Sequence, residues 1–360
     1  MRTQYKSRLA KIEDILRNNL PEQTNLTWKK QSFGILPTAI QQKHLNELIN
    51  PCSSLLELGG KRWRPLLLVL CSEMIAQNTT NTTKTSDLAY SLVPLVEFVH
   101  TASLIHDDIE DGSETRRGQP ATYCTYGIDT ALNAASWLYF EAFSIIDTIS
   151  DTTLKNNLYK TLGTEIRRLH LGQAMDISWH KNNTTIPSAE EYTAMVRMKT
   201  GTLASLAAQI GVLAAGGTTE EAETIAAIAA DIGVGFQILD DYINLTTGNQ
   251  GKKRGDDIVE GKKSLPVLFH LNEYPEDFDK IINYFSICAK EGINSPAVEK
   301  CISIITKGNA LSKSKQLGKD LITNSCTKLK NMYPGKETQN KESIPSYLIQ
   351  VFFEDMLGTI

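Results

Sequence analysis

The feature that most restricts the fold of this chain is a pair of long, alanine-rich segments with a helix-start signal at the front of each. The first segment opens with Ser188 followed three residues later by Glu191, the pattern of a capping box, and it ends at a glycine pair. The second repeats the pattern with Thr218 and Glu221, and its apolar residues recur with a 3.6-residue period. Because long apolar helices bury their faces against other helices, these segments predict an all-α fold.

Helical patterns also cover most of the remaining chain, and the sequence shows neither alternating strand-like segments nor an internal repeat. With 360 residues, 41% of them hydrophobic, the chain can bury a large core. We therefore predict one all-α domain over residues 1–360, a bundle of long helices with its motif-bearing core at 55–270. The C-terminal region, 271–360, is also predicted to be helical and is assigned no chemistry. Further helices are predicted at 23–57, 64–77, 88–111, 128–149 and 154–179, with loops at 77–87, 180–187 and 246–257.

The charge balance and the cysteines restrict the classes of function. The chain has 37 Lys and Arg against 41 Asp and Glu, a net charge of −4, which argues against a nucleic-acid partner because such proteins carry a basic excess. Its six cysteines lack CxxC spacing, which indicates reduced thiols rather than a zinc site or a disulfide framework. The first residues lack a signal-peptide pattern, and no run approaches about 18 consecutive apolar residues. We predict a cytoplasmic protein without stable membrane insertion.

Two clusters of acidic residues lie within otherwise apolar helical patterns. In the first, Asp107 and Asp111 are four residues apart and share one side of a helix, with Asp108 about 100° round. A solvated surface would explain either cluster by itself, but two embedded clusters of carboxylates would repel one another unless cations neutralised them. The second cluster follows the i, i+3, i+4, i+7 spacing of one helix face with Gln237, Asp240, Asp241 and Asn244.

Carboxylate ligands without cysteine or a convergent histidine pair favour Mg²⁺, which binds one or two carboxylates and completes its shell with water and substrate phosphates. Arginine and lysine side chains, which bind phosphate oxygens, flank both clusters. We interpret the opposite charges as meeting through a ligand: the acidic clusters hold metal, and the metal and the basic groups hold a diphosphate. The basic groups are Lys61, Arg64, Arg116, Arg117, Lys199, Lys252, Lys253, Arg254 and Lys262.

The order of these motifs resembles that of the trans-isoprenyl diphosphate synthases, or polyprenyl synthetases, over residues 55–269. The matching stretches are "GGKRWRP", "HDDIEDGSETRRGQP", "MKTG", "GFQILDDYINL" and "GDDIVEGKKSLP". The sequence around the first aspartates and the stretch "EGKKSLP" are most similar to those of geranylgeranyl diphosphate synthases of the eukaryotic type. The resemblance implies an isoprenoid-synthase fold, a single all-α bundle around a deep central cavity, usually assembled as a homodimer.

The resemblance also implies a role for each matching residue. The implied metal ligands are Asp107, Asp111 and Asp240, supported by Asp108 and Asp241, and they would hold about three Mg²⁺ ions. The implied catalytic residues are these five aspartates and Lys199. The implied contacts of the allylic diphosphate are Arg116, Lys199, Thr200, Gln237, one lysine of the pair Lys252 and Lys253, and Lys262. The implied contacts of isopentenyl diphosphate are Lys61, Arg64, His100 and Arg117. Asn244 departs from the family pattern, which usually ends this motif in aspartate.

The implied reaction is the Mg²⁺-dependent head-to-tail condensation of isopentenyl diphosphate with an allylic diphosphate, which is dimethylallyl, geranyl or farnesyl diphosphate. Two other classes stay open. A class I terpene cyclase would share the first aspartate motif but would not need "GGKRWRP". A non-catalytic partner subunit would be expected to lose one aspartate motif or the arginine pair, and both are present in this sequence.

The product length is predicted from the side chains in the turns before Asp107, which would line the path of the growing prenyl tail. Ala102 and Ser103 are small, whereas Phe98 and Val99 are larger. We predict geranylgeranyl diphosphate as the product, with a longer polyprenyl diphosphate as the alternative, because small residues at these positions also occur in long-chain synthases. The residues predicted to close the cavity lower down are Tyr139, Phe140 and Phe143 of a neighbouring helix.

Overall fold

The structure is a computed structural model that describes residues 3–77, 82–182, 185–248, 253–335 and 343–358. These residues form two compact units, each built from separate stretches of the chain. Unit 1 takes its described residues from Met1–Ile166, Ser205–Ala226 and Gly335–Leu348, and unit 2 takes them from Arg167–Ala204, Ala227–Pro334 and Ile349–Ile360.

Helices make up nearly all the regular structure of the described residues, which confirms the predicted all-α fold class. The helices begin with α1 (Thr3–Asn19), α2 (Leu26–Phe33), α3 (Gln42–Glu57), α4 (Trp63–Ala76), α5 (Thr82–Ser91), α6 (Pro94–Asp111), α7 (Thr122–Tyr126) and α8 (Ile128–Asp147). They continue with α9 (Thr152–Lys181), α10 (Ala189–Val196), a π-helical turn (Arg197–Gly201), α11 (Thr202–Ala214), α12 (Thr219–Thr246) and α13 (Asp256–Glu260). The last are α14 (Leu265–Glu273), a 3-10 turn (Pro275–Asp277), α15 (Phe278–Glu291), α16 (Pro296–Ile305), α17 (Ala310–Met332) and α18 (Pro345–Leu357). Between α6 and α7, the very short strands β1 (Thr115–Arg116) and β2 (Gln119–Pro120) pair antiparallel.

The helix α6 is a core element of unit 1, where it packs against α3, α4, α7 and α8. Its residues Phe98, Val99 and Ala102 are fully buried. The neighbouring helix α8 buries the small residues Ala134 and Ala135. Since small buried side chains let helix backbones approach closely, α6 is held in a dense core, and this fixes the residues at its carboxyl end.

Two clusters of buried apolar side chains lie among the described residues of unit 2. One cluster includes Ile281 and Phe285 of α15 and extends to residues of α12, α13, α14 and α16. The other joins α10, α12 and α14 through Tyr192, Val234 and Leu268. This second cluster fixes the helix that carries the second aspartate motif.

Two predicted helices are interrupted in the structure. The range 23–57 contains α2 and α3, because α2 ends at Gly34, which has a backbone φ of 70°, and Pro37 follows in the connecting loop. The range 88–111 is broken ahead of Pro94, which is the first residue of α6, where its missing N–H costs no helical hydrogen bond.

The loops are shorter than predicted where their boundaries are described. The predicted loop at 77–87 is wrong from Thr82 onward, where α5 begins, and residues 78–81 lie outside the described residues. The threonine-rich composition that suggested a loop is compatible with a helix. The helix propensity of threonine is only slightly lower than that of most other residues, and tertiary packing can override it.

Among the described residues, two stretches are long and apolar enough to cross a membrane by length and composition, Ser86–Asp111 and Thr219–Thr246. They are 72% and 67% buried inside the structure. Core helices of soluble proteins meet the same two criteria. The absence of stable membrane insertion therefore stays a prediction.

A buried carboxyl group lies between α2 and α8. Glu141 is 4% exposed and accepts hydrogen bonds from the hydroxyls of Ser32 at 2.6 Å and Ser144 at 3.0 Å. Burial raises the pKa of Glu141 to about 6, although the two hydrogen bonds oppose the rise. Because an unfolded chain has a glutamate pKa of about 4.3, the folded protein holds this proton more tightly. The resulting stability is fully present below about pH 4.3 and is lost as the pH rises through about 6.

Glu141→Gln should remove this pH dependence, because glutamine keeps the accepting oxygen and does not ionise. We expect the unfolding free energy of the variant, relative to that of the wild type, to rise by about 2 kcal/mol between about pH 4 and about pH 7. Urea unfolding followed by circular dichroism at the two pH values measures the change. A difference between the two proteins that stays the same at both pH values would contradict the assignment.

Candidate functional site

The first acidic cluster lies at the carboxyl end of α6, in unit 1. Asp107, Asp108 and Asp111 occupy the last turns of this helix, which ends at Gly112 with a φ of 66°. Asp108 is 1% exposed, whereas Asp107 and Asp111 are half-buried. Asp107 and Asp111 are therefore accessible to a ligand, and Asp108 faces the protein interior.

A tight hairpin brings Arg116 back to these carboxylates. The turn between β1 and β2 has positive φ at Arg117 (54°) and Gly118 (76°), as a type I′ turn requires. Arg116 donates from Nε to Oδ1 of Asp108 at 2.8 Å, and its Nη2 lies 3.6 Å from Oδ2 of Asp107. Arg116 thereby offsets part of the negative charge and holds Asp108 in place.

The stretch "GGKRWRP" forms the turn before α4, also in unit 1. Gly59 and Gly60 have φ values of 71° and 142°, which side chains rarely adopt. The Gly59 carbonyl accepts a hydrogen bond from Arg117, and a Cβ at Gly60 would lie 3.2 Å from the Arg117 guanidinium. The two glycines therefore let Arg117 approach the turn, where Lys61 is exposed.

Arginine side chains surround His100, near the middle of α6. Nη1 of Arg64 lies 3.3 Å from Nε2 of His100. Burial and the positive charges of Arg64, Arg117, Arg62 and Arg116 hold the pKa of His100 well below its usual range. Burial also lowers the pKa of Arg64 to about 10. A neutral histidine among several cations is suited to bind an anion rather than a metal ion.

The predicted chain-length residues lie on the same helix. Phe98, Val99 and Ala102 are fully buried, while Ser103 is half-buried. The Ser103 hydroxyl donates to the carbonyl of His100 at 2.8 Å. These positions lie in successive turns of α6, before and after His100, and all precede the acidic cluster.

The helix α8 contributes aromatic side chains beside these turns. Nδ1 of His106 lies 3.0 Å from the Ala102 carbonyl oxygen, and the His106 ring stacks on Tyr139 with 5.5 Å between ring centroids. Phe143 is half-buried. Phe140 is 73% exposed, whereas the predicted role in closing a cavity needs a buried side chain, so this prediction is wrong within the single chain.

In unit 2, Lys199 and Thr200 lie in the π-helical turn between α10 and α11. Two other helices approach this turn through glycines. A Cβ at Gly172 of α9 would lie 2.4 Å from the backbone nitrogen of Lys199, and a Cβ at Gly233 of α12 would lie 2.8 Å from Cα of Gly201. Because the glycines lack a Cβ, the three backbones pack closely and fix the turn.

A buried carboxylate of α9 holds Lys199. The Lys199 Nζ donates to Oδ2 of Asp176 at 2.6 Å, and Nε2 of His180 lies 2.8 Å from Oδ1 of the same residue. Burial would raise the pKa of Asp176, but Lys199, His180 and Lys262 hold it well below its usual range. An ionised Asp176 therefore orients the Lys199 ammonium.

A chain of hydrogen bonds leads from the π-helical turn to the second aspartate motif on α12. The Thr200 hydroxyl donates to Oε1 of Gln237 at 2.9 Å, and Nε2 of Gln237 donates to Oδ1 of Asp241 at 3.1 Å. The buried Tyr192 hydroxyl donates to Oδ2 of Asp241. Asp241 is 4% exposed, whereas Asp240 is half-buried, so Asp240 is the more accessible carboxylate of the motif.

Several carboxylates crowd together at this place in unit 2. Burial and the nearby Asp257 and Asp240 raise the pKa of Asp241 to about 7, although its hydrogen bonds oppose the rise. Asn244 accepts a hydrogen bond from the backbone N–H of Asp257 at 3.2 Å, which ties α13 to α12. The asparagine that departs from the family pattern thus has a structural contact of its own. Nζ of Lys262 lies 3.4 Å from Oδ1 of Asp257.

The predicted basic residues of unit 2 are brought together in part. Lys262 lies among the carboxylates, with its Nζ also 2.6 Å from Oε2 of Glu260. Lys253 is exposed and donates to Oδ1 of Asn294 at 3.2 Å. Lys252 lies outside the described residues. The structure therefore places Lys262 beside the second motif and places Lys253 at the surface.

Comparison with known proteins identifies the family. The polyprenyl synthetase family model matches residues 45–305 of this chain. The chain belongs to the polyprenyl synthetase family. It is a prenyltransferase, as the names of its relatives indicate. A short chain isoprenyl diphosphate synthase of Methanocaldococcus jannaschii is 34% identical over 265 residues, which are 72% of this chain and 76% of that protein. A geranylgeranyl diphosphate synthase of Methanosarcina mazei is 36% identical over 232 residues, which are 62% of this chain and 67% of that protein.

A solved structure extends the similarity of the fold over nearly the whole chain. The polyprenyl synthase from Caulobacter crescentus CB15, crystallised in complex with calcium and isoprenyl diphosphate, aligns with a TM-score of 0.74. The alignment covers 96% of this synthetase and 93% of that chain at 21% identity. The isoprenoid-synthase fold predicted from the sequence is therefore confirmed.

Sequence reasoning missed three residues of the synthetase's candidate site, Asp176, Tyr192 and Asp257. Asp176 and His180 are four residues apart in a helical segment, and this spacing was the available signal. The contact of Tyr192 with Asp241 joins two helices that are distant in the sequence, and nothing local indicates it. Asp257 lies in the stretch "GDDIVEGKKSLP", but only the structure shows that it is close to Asp241 and Lys262.

The residues that could hold a divalent cation in this synthetase are Asp107 and Asp111 in unit 1 and Asp240 in unit 2. Among the described residues, no three Asp, Glu, His or Cys side chains converge as a complete metal site. Their chemistry still fits Mg²⁺, which takes one or two protein carboxylates and fills its remaining positions with water and phosphate oxygens. The crowding of Asp240, Asp241 and Asp257 favours a cation for the same reason.

Gly233→Ala should destabilise the synthetase, because the added methyl group meets the backbone of Gly201 in the π-helical turn. We expect the unfolding free energy to fall by about 1–3 kcal/mol, in spite of the better helix propensity of alanine. Gly172→Ala should act in the same direction from α9, while Gly358→Ala is the control, since its nearest neighbour would be 3.5 Å away. Urea unfolding midpoints measure the effect, and an unchanged midpoint for Gly233→Ala would show that the turn is not tightly held.

Proposed function

We propose that this synthetase condenses isopentenyl diphosphate head to tail with dimethylallyl, geranyl or farnesyl diphosphate and releases geranylgeranyl diphosphate. The observation that carries the proposal is the pair of anion environments along α6. His100 lies among arginines, and Asp107 and Asp111 follow two and three turns later. The first environment suits a diphosphate bound by cations, and the second suits a diphosphate bound through metal. The names of the relatives from Methanocaldococcus jannaschii and Methanosarcina mazei support this reaction.

Isopentenyl diphosphate is proposed to bind at the arginine-rich turn of unit 1. Arg64 and Arg117 would contact its phosphate oxygens, since guanidinium groups bind them bidentately. His100 would donate one hydrogen bond as a neutral imidazole, and the exposed Lys61 would close over the outer phosphate. This substrate keeps its diphosphate throughout the reaction, so binding by fixed cations is sufficient.

The allylic diphosphate is proposed to bind through Mg²⁺. Asp107 and Asp111 would hold two ions and Asp240 a third, about three in all. Calcium in the Caulobacter crescentus structure supports a divalent cation in this fold. Asp108 and Asp241 would position the neighbouring ligand residues, because both are buried and hydrogen-bonded to adjacent side chains.

Direct contacts to the same diphosphate are proposed for basic and polar side chains of both aspartate regions. The Lys199 ammonium is oriented by Asp176, and the Thr200 hydroxyl by Gln237, so both groups are pre-organised. The full proposed set is Arg116, Lys199, Thr200, Gln237, Lys262 and one lysine of the pair Lys252 and Lys253.

In the proposed reaction the C–O bond of the allylic diphosphate breaks, and an allylic carbocation forms. The double bond of isopentenyl diphosphate attacks the cation to form the new C–C bond, and the product cation loses a proton to the departing diphosphate. Bound Mg²⁺ would stabilise the negative charge that develops on the leaving group. Arg116, Lys199 and Lys262 would donate hydrogen bonds to the same oxygens, and the half-buried ring of Phe236 would stabilise the carbocation through its face.

A homodimer is the proposed assembly. On α8, Ile128, Leu132 and Phe140 lie at intervals of four or eight residues, and they are 57%, 44% and 73% exposed. Residues at this spacing share one helix face, and an exposed apolar stripe of this kind is typical of a subunit interface. A second copy of the chain would cover Phe140, which a role inside the cavity does not explain.

A single all-α domain, located in the cytoplasm, is proposed for the chain. All six cysteines are free thiols, which is usual in a reducing compartment. The proposed reaction uses both aspartate motifs, and the chain carries one in each unit.

Asp107→Ala and Asp240→Ala should each reduce turnover by at least about a hundredfold, because each removes a group that would stabilise the leaving diphosphate. The helices should stay folded, since both side chains are half-buried rather than part of the core. Glu110→Ala, exposed on the last turn of α6, is the matched control and should retain activity. Radiolabelled isopentenyl diphosphate incorporation measures turnover, and circular dichroism measures folding. Near-normal turnover of either aspartate variant would refute the metal assignment.

Ala102→Phe should shorten the product to farnesyl diphosphate, because the ring fills the path of the prenyl tail in the turn before Asp107. Overpacking would cost about 1–3 kcal/mol of stability. Ala102→Ser is the matched control, and its product should equal that of the wild type. Chromatography of the dephosphorylated alcohols identifies the products. A longer polyprenyl alcohol from the wild type would establish the long-chain alternative, and an unchanged product from folded Ala102→Phe would show that the tail runs elsewhere.

A further inference from the structure

The helix α1 lies outside residues 45–305, which match the family model, yet it is firmly attached to unit 1. Ile12 and Leu16 are fully buried. Arg8 forms two hydrogen bonds with the carboxylate of Glu73 on α4, at 2.9 and 2.7 Å. The Tyr5 hydroxyl, which is buried, donates to a backbone carbonyl just beyond the start of α18 at 2.8 Å. These contacts hold α1 against α4, with Arg8 near the carboxyl end of that helix.

From this position α1 reaches the turn "GGKRWRP" through one ion pair. Glu13 accepts hydrogen bonds from Arg62, at 2.7 Å to Oε1 and 3.2 Å to Oε2. The Arg62 guanidinium also donates to Oε1 of Glu97 on α6 at 2.5 Å and to the carbonyl of Leu56 at the end of α3. With a side chain that is 2% exposed, Arg62 joins α1, α3 and α6 from a single position.

The backbone of Arg62 needs this support. Its φ of 46° is left-handed, a conformation that costs a residue with a side chain about 1–2 kcal/mol. Non-glycine residues stay in such conformations when surrounding contacts determine them. Arg62 immediately precedes α4, so its conformation sets the direction in which the helix begins and the position of Arg64, two residues later.

Glu13 and Glu97 also offset repulsion within the arginine cluster. Burial lowers the pKa of Arg117, and Arg62 and Arg116 lower it further, while Glu97 and Glu13 act in the opposite direction. The two carboxylates therefore help to keep several guanidinium groups charged and close to one another. Loss of either carboxylate would leave an excess of positive charge in a buried place.

We propose that α1 is a positioning element of the isopentenyl diphosphate site, and that Glu13 acts by fixing Arg62 at the turn that carries Lys61 and Arg64. Glu13 and Arg62 are positioning residues, because neither is expected to touch the substrate. The inference rests on the proposed function, since it names a residue that supports the substrate site of that reaction. It predicts an effect on one substrate and not on the other.

Glu13→Gln removes the charge and keeps the size of the side chain. We expect the KM for isopentenyl diphosphate to rise roughly tenfold, as for the loss of one charged hydrogen bond. The KM for the allylic diphosphate and kcat should change less than about twofold, because the weakened interaction is equal in the ground and transition states. Asp14→Asn, an exposed change of equal charge on the same helix, is the control and should match the wild type.

A second variant separates positioning from loss of folding. Glu13→Asp keeps the charge but shortens the side chain, and it should raise the KM for isopentenyl diphosphate by a smaller factor than Glu13→Gln. If Glu13→Gln is unfolded at the assay temperature by circular dichroism, Glu13→Asp carries the test. A KM for isopentenyl diphosphate within about twofold of the wild type, or an equal rise in both KM values, overturns the role of α1. A wild-type protein that forms no prenyl product overturns the proposed function instead.

Discussion

Like charges held close together by helices are the constraint on which the rest of this structure depends. In unit 1, Arg64 and Arg117 lie near a neutral His100. In unit 2, burial and the nearby carboxylate of Asp257 raise the pKa of Asp241 to about 7. Groupings of this kind reduce stability, because buried charges of one sign repel and lose their hydration. A dense helical scaffold is needed to hold them, and a ligand of opposite charge is needed to complete them.

The scaffold solves this problem by close backbone contact rather than by flexible side chains. Gly172 and Gly233 allow α9 and α12 to press on the π-helical turn, and Gly60 allows a guanidinium to lie on the backbone of the turn before α4. A lysine carried by such a turn and oriented by Asp176 has few alternative positions. Groups fixed in advance lose little entropy when a ligand binds, which is why a rigid site binds and polarises a diphosphate better than a mobile one.

The features that depend on local sequence pattern could be predicted from the sequence. The features that depend on contacts between distant parts of the chain could not. The all-α fold and the spacing that places Asp107 and Asp111 together follow from a 3.6-residue period. The break ahead of Pro94 was missed because apolar residues continue through it. The pairing of Tyr192 with Asp241 could not be predicted, because it depends on how α10 packs on α12. Phe140 was misassigned because a period shows which residues share a face but not which face is buried.

The charge difference between the two anion sites also explains which diphosphate should leave in the proposed reaction. Both substrates carry the same group, so the leaving group has to be selected by its surroundings. Fixed cations such as Arg64 and Arg117 bind a diphosphate whether or not its C–O bond is broken, and so they hold isopentenyl diphosphate without activating it. At the aspartates, a metal ion bound by Asp107 would meet the charge that develops when the bond breaks, an interaction that strengthens toward the transition state. The allylic substrate ionises more easily because its cation is delocalised. In the proposed reaction, the carboxylates at the carboxyl end of α6 and the arginines around His100 would therefore direct bond cleavage to the substrate that can tolerate it.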